Sequence, residues 1–218
     1  IRDADVTGVQ TCALPILTFE RWNEGVGKTT LSNSGFEAVE TALKTAVMAT
    51  GKAGLVSFKN GYHGLGYGAL LGAGIDKFRK PFEGQLAPLR AQLNFPTDQY
   101  EMGVLDHQLK ELNAEHVGAL LVEPIQGRGG KVVPPDGFLA KLRAWCDAND
   151  VVLIYDEVYS GFNRTGKMFA CDWEGVAPDM ICLGKSLSGG YPISACVGKA
   201  AVMDAWPKSE GEALHTST

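Results

Sequence analysis

The chain has little of what staples, exports or anchors a protein. Its five cysteines, Cys12, Cys146, Cys171, Cys182 and Cys196, are scattered and form no CxxC pair, so neither a disulfide framework nor a metal site is indicated and a reducing, cytoplasmic setting is expected. No apolar run approaches the ~18 residues of a membrane span, and the N-terminus lacks a charged-then-apolar secretory pattern. Charge of one sign is also scarce. Lys+Arg 20 against Asp+Glu 25 leaves a net −5, which argues against nucleic-acid or membrane-surface binding and favours small-molecule partners. What remains is the composition of a soluble globular protein: 218 residues, 45% hydrophobic and 21% charged, enough for one large domain with its own core. Glycine is in excess, 27 residues or ~12% against roughly 7% usual, and is expected to mark turns where backbone approaches a ligand.

Residues 1 to about 16 (IRDADVTGVQTCALPI) carry no period of 2 or 3.6, and this segment is expected to be non-native or disordered, with one incomplete domain over 17–218. The first strong element starts at Ser34. Ser34 and Glu37 form an S-x-x-E capping box, and Phe36, Val39, Leu43, Ala46 and Val47 follow at the spacing of a core-facing helix that stops near Gly51. LVSF at 55–58 reads as a buried strand running into the loop NGYHGLGYG, and 74–103, with three prolines, reads as a long connection. Beyond it, a helix capped by Asp106, a strand in HVGALLVEP, a helix in FLAKLRAWCDAND, and strands VVLIY, MICLG and ISACVG follow in turn. Uniformly apolar strands alternating with helices predict an α/β fold, a mostly parallel sheet covered by helices on both faces.

Ligands of open parallel sheets sit beyond the carboxyl ends of the strands. The residues to inspect are therefore Asp156-Glu157-Val158 after VVLIY, Gly184-Lys185 after MICL, and Tyr62-His63 after LVSF. Taken singly, each has a bland reading: a strand-end Asp as a cap, a lone Lys as a solvated cation, a His among glycines as a loop residue.

Together they say more. LLVEPIQGRGG, LIYDEVYSGFNRTG and PDMICLGKSLSGGYPISA, with Lys185 29 residues beyond Asp156, resemble the class-III aminotransferase family, which includes ornithine, acetylornithine and 4-aminobutyrate transaminases. With NSGFEAVETALK and the YHG loop, the resemblance runs from about Leu31 to Thr218. It implies the large domain of fold-type-I pyridoxal-phosphate enzymes, truncated at both ends. The implied activity is a ping-pong transfer of an amino group from an amino acid or ω-amine donor to a keto acid acceptor, in a homodimer.

The resemblance also assigns residues. Lys185 matches the lysine that holds the cofactor aldehyde covalently and shuttles the proton, Asp156 the carboxylate at the pyridine nitrogen. Val158, expected on the same side of an extended segment, matches the aliphatic residue on one ring face, and Tyr62 the aromatic on the other. Gly35 and Phe36 open the Ser34-capped helix, whose N–H groups and dipole favour the phosphate. Glycines 184, 189 and 190 would allow the cofactor's close approach. Thr218 matches a threonine that reaches the phosphate of the neighbouring subunit. Glu123 is expected to support the site structurally.

Two positions depart from the family. Arg128 stands where many members have a glutamate that engages a substrate-binding arginine, so neither the ornithine nor the 4-aminobutyrate assignment can be copied. Tyr159 stands where a glutamine often meets the cofactor's phenolic oxygen; its hydroxyl could substitute, or the ring could simply pack. Aminomutase, racemase or decarboxylase chemistry on the same cofactor is the alternative. A remoter one is nucleotide binding by GVGKTT at 25–30, which lacks the P-loop's first glycine, Trp22 occupying that position. Members of the family are roughly twice this length, so the 218-residue chain by itself is expected to be unstable or feebly active.

Overall fold

The computed structural model describes residues 13–87 and 90–206 and the backbone of 208–209 and 212–213. Seven strands form one sheet: β1 (Gly27–Ser32), β2 (Gly54–Phe58), β3 (Arg90–Leu93), β4 (Val117–Val122), β5 (Val152–Asp156), β6 (Met180–Leu183) and β7 (Ser194–Lys199). Their spatial order is β1-β7-β6-β5-β4-β2-β3. The five strands from β6 to β3 run parallel, while β7 is antiparallel to both β6 and β1. The reversal follows from length. A parallel return needs a crossover of a dozen or more residues, and the segment joining β6 to β7 is shorter than that.

Four helices matter to the layers: α1 (Gly35–Thr50), α2 (Tyr67–Gly72), α3 (Gln99–Glu111) and α4 (Phe138–Asn149). Strand residues alternate between two cores. Leu153 and Tyr155 of β5, with Leu120 and Val122 of β4, join Leu105, Leu109, Phe138 and Leu142 of α3 and α4 on one face. Val152 and Ile154, with Ala119 and Leu121, join Ala38, Val39, Ala42 and Ala46 of α1 on the other. Asp156 continues the second set, so the parity of β5 aims its carboxylate toward the α1 side of the sheet.

Several expectations need correction. The P-loop-like segment is β1, whose backbone pairs with β7 from Gly27↔Lys199 to Ser32↔Ser194, so those peptide groups form a ladder and not a phosphate cradle. The long connection contains β3, an edge strand parallel to β2, and the start of α3. That helix is capped by Asp98, whose side chain accepts from Glu101 N at 2.8 Å, while Asp106 sits within it and pairs with Lys141. In α1 the buried face is Ala38, Val39, Thr41, Ala42, Thr45 and Ala46; Phe36 and Val47 are 38% and 40% exposed. The mostly small side chains of this face let α1 lie close on the sheet, while Phe36 and Val47 point elsewhere. Most of the 1–16 segment lies outside the described residues, but Leu14 within it is buried and belongs to the core.

Candidate active site

Four neighbouring strands deliver the site. The chain leaves β2 into Tyr62-His63, β4 into Glu123, β5 at Asp156 and β6 into Lys185, and β6-β5-β4-β2 are adjacent in the sheet. A cavity of about 780 Å³ lies at their carboxyl ends. Gly35, Phe36, Tyr62, Asp156, Val158 and Lys185 all line it, with His63, Glu123, Arg128 and Tyr159. Thr218 lies outside the described residues.

One end of the cavity is the N-terminus of α1. Only Asn33 and Ser34 separate β1 from this helix. The Glu37 carboxylate reaches back to accept from Ser34 N at 2.7 Å, and Ser194 Oγ donates to Ser34 O at 2.6 Å, which pins the cap to the start of β7. The N–H groups of Gly35 and Phe36 have no hydrogen-bond partner among the described residues. A Cβ at Gly35 would lie 2.8 Å from Val158 Cγ1, so only glycine lets the helix start approach the β5 loop this closely. Across the cavity, Gly64 adopts φ +114° directly beneath Phe36, where a Cβ would fall 2.3 Å from that residue's Cβ. Of the other glycines, a Cβ at Gly184 would lie 3.2 Å from Val158 Cγ1, while Gly189 and Gly190 have open space around them.

Asp156 is held at both oxygens. Oδ1 accepts from Val158 N at 3.1 Å, and Oδ2 meets His63 Nδ1 at 2.8 Å, with both side chains buried. The first bond closes a turn of the Asx type. Val158 therefore reaches the cavity through a turn, a correction to the extended alternation expected from its spacing. His63, bland in the sequence, is the electrostatic neighbour of Asp156. Burial by itself lowers its pKa, but the hydrogen bond and charge of Asp156, with a contribution from Glu123, outweigh that and hold it above 6.5. Glu123 accepts from Tyr62 N at 2.9 Å and Gly127 N at 3.1 Å. Its burial, opposed by His63 and reinforced by the charge of Asp156, raises its pKa to about 7. Glu123 thus anchors two loops of the wall, the supporting role expected of it. The link between His63 and Asp156 spans 93 residues of sequence, and no local pattern could signal it. Glu157, next to Asp156, serves the scaffold: wholly buried, it accepts from Ser160 Oγ, Ala170 N and Cys171 N.

Lys185 opens a single turn after β6 at φ +41°, a left-handed conformation uncommon for a residue with a side chain. Its Nζ lies 5.6 Å from the centre of the Tyr159 ring, which also carries the Arg164 guanidinium at 5.0 Å. Lys185 is exposed in the single chain. Buried carboxylates on the sheet side and an amine on the open side thus flank one slot, an arrangement suited to a flat, polar heterocycle bound at one end by an anion site.

The family model for class-III aminotransferases matches residues 16–218. The 4-aminobutyrate aminotransferase of Mycobacterium bovis is 42% identical over 205 residues, covering 83% of this chain and 44% of that protein. Among solved structures, the ornithine aminotransferase of Toxoplasma gondii superposes with a TM-score of 0.82 at 34% identity, over 100% of this chain and 49% of that one. A pyridoxal-phosphate-bound amine transaminase from an uncultivated Pseudomonas species also gives a TM-score of 0.82, at 30% identity, over 92% and 50% of the respective chains. The chain thus spans about half or less of the length of the relatives it matches. Its mostly parallel sheet with helices on both faces is the fold-type-I architecture of these neighbours. The sheet, the slot at its carboxyl edge and the match over nearly the whole sequence agree, and the chain belongs to the class-III aminotransferase family.

Proposed function

We propose that the protein is a pyridoxal-phosphate-dependent transaminase that moves an amino group from an amino acid or ω-amine donor to a keto acid in two ping-pong half-reactions. The observation that carries this reading is the convergence of Lys185, Asp156, Tyr62, Val158 and the start of α1 on one cavity. The residues present fit the cofactor: unpartnered N–H groups at Gly35 and Phe36 suit its phosphate, and the glycine cradle against Val158 leaves the room that a Cβ would fill. When bound, pyridoxal phosphate supplies an electron-withdrawing ring that stabilises charge at the substrate carbon.

The chain's own residues do the rest. The Asp156 carboxylate, oriented by His63 and Val158 N, lines the slot where a ring nitrogen would meet it, and the low dielectric of its surroundings strengthens that pairing. Tyr62 and Val158 wall the slot. Lys185 Nζ, on the open side, holds the cofactor and carries the proton from the substrate carbon. A direct test loads the complete protein with pyridoxal phosphate and adds an amino donor alone, then a keto acid. Loss of the visible band on the first addition and its return on the second, with one keto acid consumed per amino acid formed, is the expected result. Donor decarboxylation or racemisation without uptake of keto acid would overturn it.

A second copy of the chain covers the open side in this reading. Phe36, Tyr67 and Tyr191, 38%, 55% and 82% exposed, line a second cavity of about 920 Å³ beside the first. Leu65 and Phe82 are exposed as well, and these apolar side chains near the cavity that Lys185 lines suit a subunit interface that excludes water from the amine. Tyr191→Asp is expected to cost about 2 kcal/mol or more of association, some 30-fold in dimer dissociation constant, as read by light scattering across a dilution series. A cytoplasmic location accords with Cys146, Cys171, Cys182 and Cys196, all free and buried. Among the described residues no helix is long and apolar enough to cross a membrane.

A further inference from the structure

Arg128 is the one departure from the family pattern that meets the cavity as a charge. Its backbone is fixed on both sides. Gln126 and Val132 exchange hydrogen bonds of 3.0 Å in each direction, which makes Arg128 part of a tight hairpin tip. A Cβ at Gly127 would lie 2.8 Å from the Tyr159 ring, and one at Gly129 would lie 2.7 Å from Asn60 O, so both flanks of Arg128 lie close against the wall. Gly127 N is tied to Glu123, and Gln126 Nε2 donates to Lys59 O at 2.7 Å.

The side chain is placed as firmly. The guanidinium lies 4.6 Å from the centre of the Tyr62 ring and 5.5 Å from that of Phe78, while Tyr62 and Phe78 meet edge to face at 5.1 Å. Stacking occupies the flat face of the guanidinium and leaves its N–H donors, which point outward in the plane. No carboxylate among the described residues pairs with it: Glu123 is spent on Tyr62 N and Gly127 N, and Asp156 on His63 and Val158 N. An exposed cation that rests against two aromatic rings on the same cavity as Lys185, with donors unpaired among the described residues, has less freedom to lose on binding than a fully solvated one.

We infer that Arg128 receives a carboxylate of the substrate, so that the enzyme selects amino donors and keto acids bearing a carboxylate at the end of the molecule that faces the Tyr62–Phe78 wall. Arginine suits this better than lysine because its fork binds both carboxylate oxygens at once. The assignment rests on the transaminase reading for the identity of the substrate, but anion binding by Arg128 can be tested without turnover.

Two measurements on the complete protein, loaded with pyridoxal phosphate, decide it. The first compares single-half-reaction kcat/KM for an ω-amino acid and for a primary alkyl amine of equal length without the carboxylate. Arg128→Gln is expected to lower the value for the amino acid about 10- to 100-fold, the worth of a hydrogen-bonded charge, and to change the alkyl amine less than about 3-fold. Arg128→Lys should recover part of the loss. The second measures succinate binding by competition or by cofactor absorbance, with the same 10- to 100-fold weakening in Arg128→Gln. Equal losses for both amines would mean that Arg128 acts only through the Tyr62 stack and would overturn the assignment, as would no change for either. If no amine is converted by the unmutated protein but Arg128→Gln still weakens succinate binding, the anion site stands and the transaminase reading falls.

Discussion

Lys185→Ala is expected to lower the rate of transamination by at least about 10⁴-fold, because in the proposed mechanism one substitution removes both the covalent hold on the cofactor and the proton carrier. The effect is read as kcat in a donor–acceptor assay, with the absorbance spectrum of the loaded protein as the companion measurement. The visible band expected in the unmutated protein disappears in the variant, and cofactor dissociates on dilution. Folding is a fair control here. Lys185 is exposed and sits at φ +41°, so alanine inherits a strained backbone that costs roughly 1–2 kcal/mol for either residue and changes little between them. Thermal unfolding of the apo protein should therefore be nearly unchanged. Lys185→Arg, which keeps the charge but lacks a usable amine nucleophile, should be as inactive as the alanine variant. Partial recovery of Lys185→Ala by a small added primary amine is the sharpest outcome, since it separates proton transfer from mere packing. A variant that kept more than a tenth of the original rate would dismiss Lys185 from the chemistry.

Asp156→Asn is expected to lower kcat about 10²- to 10³-fold, the usual size of losing one preorganised charge in a water-poor site. The shape of the side chain is kept, and Val158 N can still find an oxygen. What disappears is the negative charge within 2.8 Å of His63. With it go the two contributions from Asp156 that raise the His63 pKa, and burial, which lowers it, prevails. The sign is then fixed. His63 gives up its proton at lower pH in the variant. The limb of the pH–rate profile that belongs to His63 should move toward acid. Asp156→Glu, with the charge retained but displaced by a methylene, should recover part of the rate and part of the profile. A fall in rate without movement of the profile would show that Asp156 acts by packing and not by charge.

These effects bear differently on what could be read beforehand. The capping signal at Ser34 and Glu37, the apolar runs that became β2, β4, β5, β6 and β7, and the positions of Asp156 and Lys185 at strand ends are local patterns, and the structure repeats them. β1 and β3 escaped because edge strands need not be apolar: GKTTLS and RAQL pair on one side only and carry few large hydrophobic residues. The start of α3 escaped because Pro96 and Asp98 read as loop residues, although Asp98 Oδ1 accepts from Glu101 N and the Glu101 carboxylate accepts from Thr97 N around the first turn. For α1, the period was right and Val39, Leu43 and Ala46 do face the core, but Phe36 and Val47 do not. Alanine and threonine, with Val39, fill most of that face in place of the large side chains at Phe36 and Val47.

Sequence alone determined the apolar strands β2, β4, β5, β6 and β7, the capped start of α1 and which side chains stand at the strand ends, because backbone propensity and apolar period act over a few residues. Only the tertiary structure decided that β6, β5, β4 and β2 lie side by side, that His63 grips Asp156, and that Arg128 stacks on Tyr62 and Phe78 with its donors free. Those contacts join residues far apart along the chain. Their geometry depends on how sheet twist, helix packing and glycine clearance are satisfied together, and no short stretch of sequence encodes that joint solution.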